Sequence, residues 1–232
     1  ATLSKGMFQW WFFSHLGGTK MLERAPEIVQ LAGRLNGVME ESLHTDRSSV
    51  SEVAFVYDRH SLLCLHPKSM LPGFIYYQMP ELMRMGAPFD IYLLSDIGAV
   101  ARRRYKLVIL FGTYWLDKGK RKAIDELKRG GRTLVFVYAP GIVGEDGVGP
   151  EKVTEVTGVR LRAVERRMPV EVEVVDNSHP ITAGLPRGFS FGGQFRDLKS
   201  PKWYPERPPI SPVLFACDEG AKVLGIVKGL GE

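Results

Sequence analysis

Apolar and polar positions fall into three regimes along the chain. From Glu23 to about Leu43, the residues Ile28, Leu31, Ala32, Leu35, Val38 and Met39 recur at three-to-four spacing. That spacing predicts a helix with one apolar face, and Pro26 suits its first turn. A polar turn, residues 44–49, separates it from SEVAFVYD (51–58), a continuous apolar run that predicts a buried strand ending in a carboxylate. The same grammar repeats: an amphipathic segment over 72–85, DIYLLSD (90–96), a short basic helix, and YKLVILFGTY (105–114). A charged helix over 117–129 then closes on Gly130-Gly131, and RTLVFVYAP (132–140) supplies the next strand. Alternating strands and helices, with strands apolar on both faces, predict a parallel sheet covered on both sides. The expected fold class is α/β: a flavodoxin-like doubly wound, mostly parallel sheet.

In the last third the period changes to two. VRLRAVERRMPVEVEVVD (159–176) alternates apolar and polar residues, which predicts antiparallel or edge strands toward the C-terminus. PVLFACDEGAKVLGIV (212–227) reads as a closing hairpin turning at Asp218-Glu219-Gly220. At the other end, GMFQWWFFSHLGG (6–18) holds six apolar or aromatic residues broken only by Gln9. Such a run asks for burial on both faces. Only Ala1 to Lys5 precede it, so the expectation is that its sheet partners lie outside this sequence and that the chain belongs to something larger. The domain reading is 1–48 as the end of a preceding barrel plus a connecting helix, and 49–232 as the α/β domain.

Composition changes this picture little. Lys and Arg exceed Asp and Glu by 31 to 26, a net charge of +5. The positive charge sits in clusters such as Arg102-Arg103-Arg104 and Lys118-Gly119-Lys120-Arg121-Lys122, interleaved with acids, and reads as solvated helix ends. No helix-turn-helix or aromatic RNA-binding signature accompanies it, so no nucleic acid partner is expected. Cys64 and Cys217 are far apart and lack metal-ligand spacing, which suits a reducing, cytoplasmic setting and no metal. No apolar stretch approaches the roughly 20 residues of a membrane span, and no signal peptide is visible.

In a doubly wound sheet the chemistry belongs at the carboxyl ends of the strands. Those positions hold Asp58, Ser95 with Asp96, Gly112 with Thr113, and Ala139 with Pro140. The turn Tyr-Ala-Pro-Gly-Ile after the fourth strand has the small residues of a nucleophile elbow but no Ser or Cys. Cys64, in LLCLHP with His60 and His66 nearby in sequence, reads first as core and second as a nucleophile. His179, in Ser-His-Pro-Ile, reads as a capping or packing element before a base. GEDGVG (144–149) lacks the dinucleotide and phosphate-loop patterns and carries Glu145 and Asp146, so it reads as a surface loop; no cofactor is expected.

Several motifs together carry a resemblance. The element order, KRGGRTLVFVYAPG, HPITAGLP and VLFACDEGAKVLGIV resemble the glutamine-amidotransferase-like trimerisation domain of glycoside hydrolase family 42 β-galactosidases. GMFQWWFFSHLGG is similar to that family's last barrel strand and exit loop, and the helix over 26–43 to its connector. The resemblance implies a non-catalytic assembly domain that forms a homo-oligomer, a trimer, and partners a catalytic barrel. It puts both catalytic glutamates upstream of residue 1, and it implies no glutaminase activity, since Ala139-Pro140 stands where a thiol is needed. It also implies sugar contact at Trp10, beside Gln9 and Trp11; Thr19 and Lys20 after Gly17-Gly18 depart from the family's usual Glu. HPIT-x-GLP is similar as well to trehalose-utilisation-type proteins of the same fold, which leaves a stand-alone sugar- or small-molecule-binding protein, or a hydrolase using Cys64 or His179, as alternatives.

Overall fold

The computed structural model describes residues 26–46, 48–63, 82–166, 170–192 and 212–229. By internal contacts the chain divides into two compact units, Ala1–Val50 and Ser51–Glu232. In the first, helix α1 (Pro26–Ser42) starts on Pro26, whose missing N–H costs nothing in a first turn. Its end is tied by the Ser42 hydroxyl donating to the Met39 carbonyl at 2.7 Å. The predicted apolar face is not sealed: Leu31 and Val38 remain about half exposed, at 51% and 50%.

The second unit is built on four parallel strands, β1 (Val53–Tyr57), β2 (Phe89–Leu93), β3 (Leu107–Phe111) and β4 (Thr133–Phe136), in the order β2-β1-β3-β4. β1 pairs with both neighbours in matching register, Val53 opposite Phe89 on one side and opposite Leu107 on the other. Helix α2 (Arg59–Leu63) follows β1, helix α3 (Ile97–Arg102) joins β2 to β3, and helix α4 (Lys118–Lys128) joins β3 to β4.

Because side chains alternate along a strand, the sheet buries two separate apolar layers. Ala54, Val56, Val108 and Leu110 face Ile97 and Val100 of α3 and Ile124 and Leu127 of α4. Phe55, Ile109 and Phe111 face the other way, against Leu82 and Val137, with the Phe55 and Phe111 rings 4.7 Å apart. The chain therefore winds one way from β1 to β2 and the opposite way through β3 and β4. This is the doubly wound, flavodoxin-like layout, with its switch point between β1 and β3.

After β4 comes a two-residue ladder, β5 (Val143–Gly144) against β6 (Gly147–Val148), with the predicted surface loop at its tip. Helix α5 (Pro150–Thr157) has Pro in its first turn and stops on Gly158, at φ 76°. The remaining strands are β7 (Leu161–Val164), β8 (Glu171–Val174), β9 (Ser190–Gly192), β10 (Val213–Ala216) and β11 (Gly225–Val227). All their pairings are antiparallel, as the alternating pattern predicted.

The closing hairpin is corrected. The turn is there, with the Ala221 N–H reaching the Asp218 carbonyl at 3.0 Å. The two strands part, however, β10 pairing with β7 and β11 with β8. β7 takes one arm at its edge, and β8, paired on its other side with β9, takes the other. No helix among the described residues is long and apolar enough to cross a membrane.

Leu110 is fully buried between α3 and α4, whereas Val135 on edge strand β4 is 40% exposed. Leu110→Ala should lower unfolding free energy by about 2–5 kcal/mol and Val135→Ala by roughly 1 kcal/mol or less, read from urea denaturation midpoints.

Candidate functional site at the carboxyl edge of the sheet

Asp58 follows β1 at the switch point and is 3% exposed. A carboxylate this deep needs partners. Its Oδ2 accepts the Ser61 N–H at 2.9 Å, which caps α2, and the Ser61 hydroxyl at 2.7 Å. The Ser61 oxygen in turn accepts the Trp115 N–H at 2.8 Å, tying the loop after β3 onto α2. Lys120, in the first turn of α4, brings its Nζ to 3.4 Å from both Asp58 oxygens and 4.3 Å from the centre of the Trp115 ring. Asp117 aims that turn by accepting the Lys120 N–H at 2.7 Å. His60, largely exposed, holds Nδ1 3.7 Å from Asp58 Oδ1, with its ring 6.3 Å from that of Trp115.

Thr113, two residues before Trp115, is fully buried, and among the described residues neither its hydroxyl nor that of Tyr114 has a hydrogen-bond partner. Gly112 supplies the positive φ of 56° that lets the chain leave β3 into this loop.

The elbow after β4 sits one residue earlier than Ala139-Pro140. Tyr138 takes φ 68°, the sole non-glycine residue with positive φ among the described residues. This is the strained strand-to-turn geometry that would present a nucleophile. Here the phenol donates to the Pro212 carbonyl at 2.7 Å. Burial first, and the nearby Glu165 charge second, push its pKa above the usual tyrosine range. A half-buried, protonated, hydrogen-bonded phenol is a poor nucleophile.

The other sequence candidates distribute as follows. Ser95 and Asp96 are exposed on a 3-10 turn after edge strand β2, one strand away from Asp58. His179 accepts the Ile181 N–H through Nδ1 at 3.3 Å. It stands in a turn where the Thr182 hydroxyl donates to the Asp176 carbonyl and the Asn177 amide donates to the Thr182 and Leu185 carbonyls, so the motif HPITAGLP works as a local knot. Cys217 is exposed and unpaired. Gln9, Trp10, Trp11, Cys64 and His66 lie outside the described residues. Among the described residues, no group of three or more His, Cys, Asp or Glu could hold a metal ion.

Sequence reasoning reached Asp58 and Thr113 but missed Ser61, Trp115, Lys120 and Tyr138. It also read the Lys118–Lys122 cluster as wholly solvated. Two of its cations turn inward: Lys120 to Asp58, and Arg121, which donates to the Gly141 carbonyl at 2.8 Å and the Lys152 carbonyl at 3.1 Å. The usable signal was Asp117 three residues before Lys120, since a cap fixes which way the first turn faces.

Fold and site together define a doubly wound α/β domain whose switch-point carboxylate, Asp58, is engaged by Ser61 and Lys120. Among solved structures, the chain is similar to a GH42 β-galactosidase from G. stearothermophilus in a catalytic-mutant form. That match has 18% identity, covers 87% of this chain and 27% of that one, and has a TM-score of 0.56. The enzyme without that mutation gives 0.54 with the same identity and coverage. A β-galactosidase from Bacillus circulans sp. alkalophilus gives 0.51, at 20% identity over 76% of this chain and 24% of that one. The chain thus spans about a quarter of the length of these enzymes, and at such identities the likeness is one of fold. No protein-family model and no curated protein sequence matches it.

Two outcomes follow from this geometry. Lys120→Met leaves the Asp58 carboxylate buried without its cation and should cost about 3–5 kcal/mol in urea denaturation. Adding Asp58→Asn should recover part of that loss, giving a non-additive double-mutant cycle. Separately, the Ser178 hydroxyl and N–H, then Lys222, hold Asp176 at about 2, below its ordinary 3.8. Its folded pKa is depressed, so its contribution is complete above about pH 4 and is lost as pH falls toward 2. Asp176→Asn should flatten the acid limb of the stability curve in that window.

Proposed function

We propose that the chain is a non-catalytic assembly domain of a β-galactosidase-like glycoside hydrolase, acting in the cytoplasm as a trimer beside a catalytic barrel. On this reading residues 1–48 are the end of that barrel and its connecting helix, and residues 49–232 are the amidotransferase-like domain. The observation that carries it is the occupied elbow: Tyr138 takes the strained φ, and its phenol is spent on the Pro212 carbonyl. The crevice nearby is equally committed, with both oxygens of Asp58 already within reach of Lys120 and the hydroxyl of Ser61 bonded on both sides. Among the described residues of this site, the Asp58 carboxylate and the Ser61 hydroxyl are both engaged, while His60 stays exposed beside Asp58. The likeness to about a quarter of GH42 β-galactosidases supports the parent class.

Gln9, Trp10 and Trp11 are the sugar-contacting residues on this reading, Trp10 presenting a flat apolar face to a pyranose. A second reading, a stand-alone binder of sugars or other small molecules, is favoured by the convergence of Asp58, Trp115 and Lys120 at the switch point, where doubly wound folds bind ligands. For the hydrolase alternative, the Ile181 N–H donated to His179 Nδ1 at 3.3 Å weighs against that imidazole as a base.

Sedimentation equilibrium, run beside a chromogenic β-galactoside assay, separates these readings. Assembly predicts a trimer with no turnover above buffer. A monomer that binds galactose, with binding lost in Trp115→Ala, would replace it with the second reading.

A further inference from the structure

The amino-terminal edge of the parallel sheet, opposite the switch point, carries a separate feature. Arg132, at the start of β4, donates from Nη2 to the Ala101 carbonyl at 2.8 Å and the Arg103 carbonyl at 2.9 Å, and from Nη1 to the Leu127 carbonyl at 3.4 Å. This one guanidinium staples the end of α3 to the end of α4. It lies so close over the chain that a Cβ at Gly130 would stand 2.5 Å from Nη1. Two sequence-distant basic clusters, 102–106 and 128–132, are thereby brought to one face.

The staple also decides what the other arginines are for. Cations at a helix end ordinarily neutralise the carbonyls there. Here Arg132 already serves those of Ala101 and Leu127, which leaves Arg102, Arg104 and Arg129 exposed and with no ion pair to any described residue. Around them, Lys106 pairs with Glu52 at 2.6 Å, Lys128 with Asp125 at 2.7 Å and Arg103 with Asp90 at 3.5 Å. Exposed pairs of this kind are worth little and exchange readily.

We propose that this face docks an acidic protein segment, with Arg102, Arg104 and Arg129 as its anchors. Arginine forks bind carboxylates in pairs, which suits Glu- or Asp-rich surfaces. The interleaved Glu52, Asp90 and Asp125 would repel a uniform polyphosphate but can face the scattered lysines of a protein partner. No exposed aromatic ring accompanies the three arginines among residues 101–106 and 127–132, so unpaired bases would find no stacking platform. The proposal is independent of whether the domain assembles or binds sugar.

The test is fluorescence anisotropy of a labelled glutamate-rich peptide, with duplex DNA in parallel, at about 50 mM and about 200 mM salt. Arg102→Glu/Arg104→Glu/Arg129→Glu should weaken peptide binding about tenfold or more. Lys118→Glu/Lys122→Glu/Arg187→Glu, which changes net charge equally at exposed positions elsewhere, should weaken it less than about threefold. An Arg→Gln version of the first variant, with its thermal midpoint checked, guards against simple misfolding. Equal loss in both charge-reversed variants, tighter binding of DNA than of peptide, or no peptide binding at the lower salt would each overturn the proposal.

Discussion

A buried carboxylate has to be satisfied, and Asp58 imposes that requirement at the point where the sheet reverses its winding. An unpaired charge at 3% exposure would cost several kcal/mol, a large share of what holds a domain of this size together. The chain meets the requirement locally through Ser61, three residues on at the start of α2, and at long range through Lys120, 62 residues away in the first turn of α4, with the loop after β3 tied in by the Ser61–Trp115 contact. Each contact also fixes the direction of the element that makes it. The carboxyl edge of the sheet is thus organised around one anion, and the ring of Trp115 is held between Lys120 and His60 as a consequence.

That arrangement bears on function because doubly wound folds place their chemistry at this edge. The two local geometries that could serve catalysis, a strained residue after β4 and an acid after β1, are both present, and both are engaged internally. Tyr138 keeps the backbone strain of an elbow while its phenol is raised in pKa by burial and bonded to Pro212. The proposed structural role rests on this state more than on the fold-level likeness to GH42 β-galactosidases.

The parallel sheet was legible in the sequence chiefly through β1 and β3, whose runs VAFVY and LVILF are continuously apolar, largely buried and closed by Asp58 and Gly112; β2 carries Asp90 and β4 alternates exposed with half-buried residues, so both were the weaker signals. The antiparallel region was legible in type but not in pairing. Alternation says that VLFA and GIV are strands; which edges they join is set by β7 and β8, far earlier in the chain, and no local signal carries that. The site failed in a similar way. Asp58 could be found from its position alone, but Lys120 lies 62 residues away in a cluster that looks solvated, and only the cap at Asp117 hints at its inward turn. Tyr138 was missed because positive φ at a non-glycine residue is imposed by surroundings, not chosen by the residue.

The most direct test of a closed crevice is amide hydrogen exchange, resolved by residue, at Ser61 and Trp115. If the Asp58 group seals the switch point, both amides should exchange only through global unfolding, with the same opening free energy as the core amides of Leu110 and Val108. Exchange of either amide through a local opening several kcal/mol cheaper than the core would mean that the crevice opens in the native state, and would contradict the account.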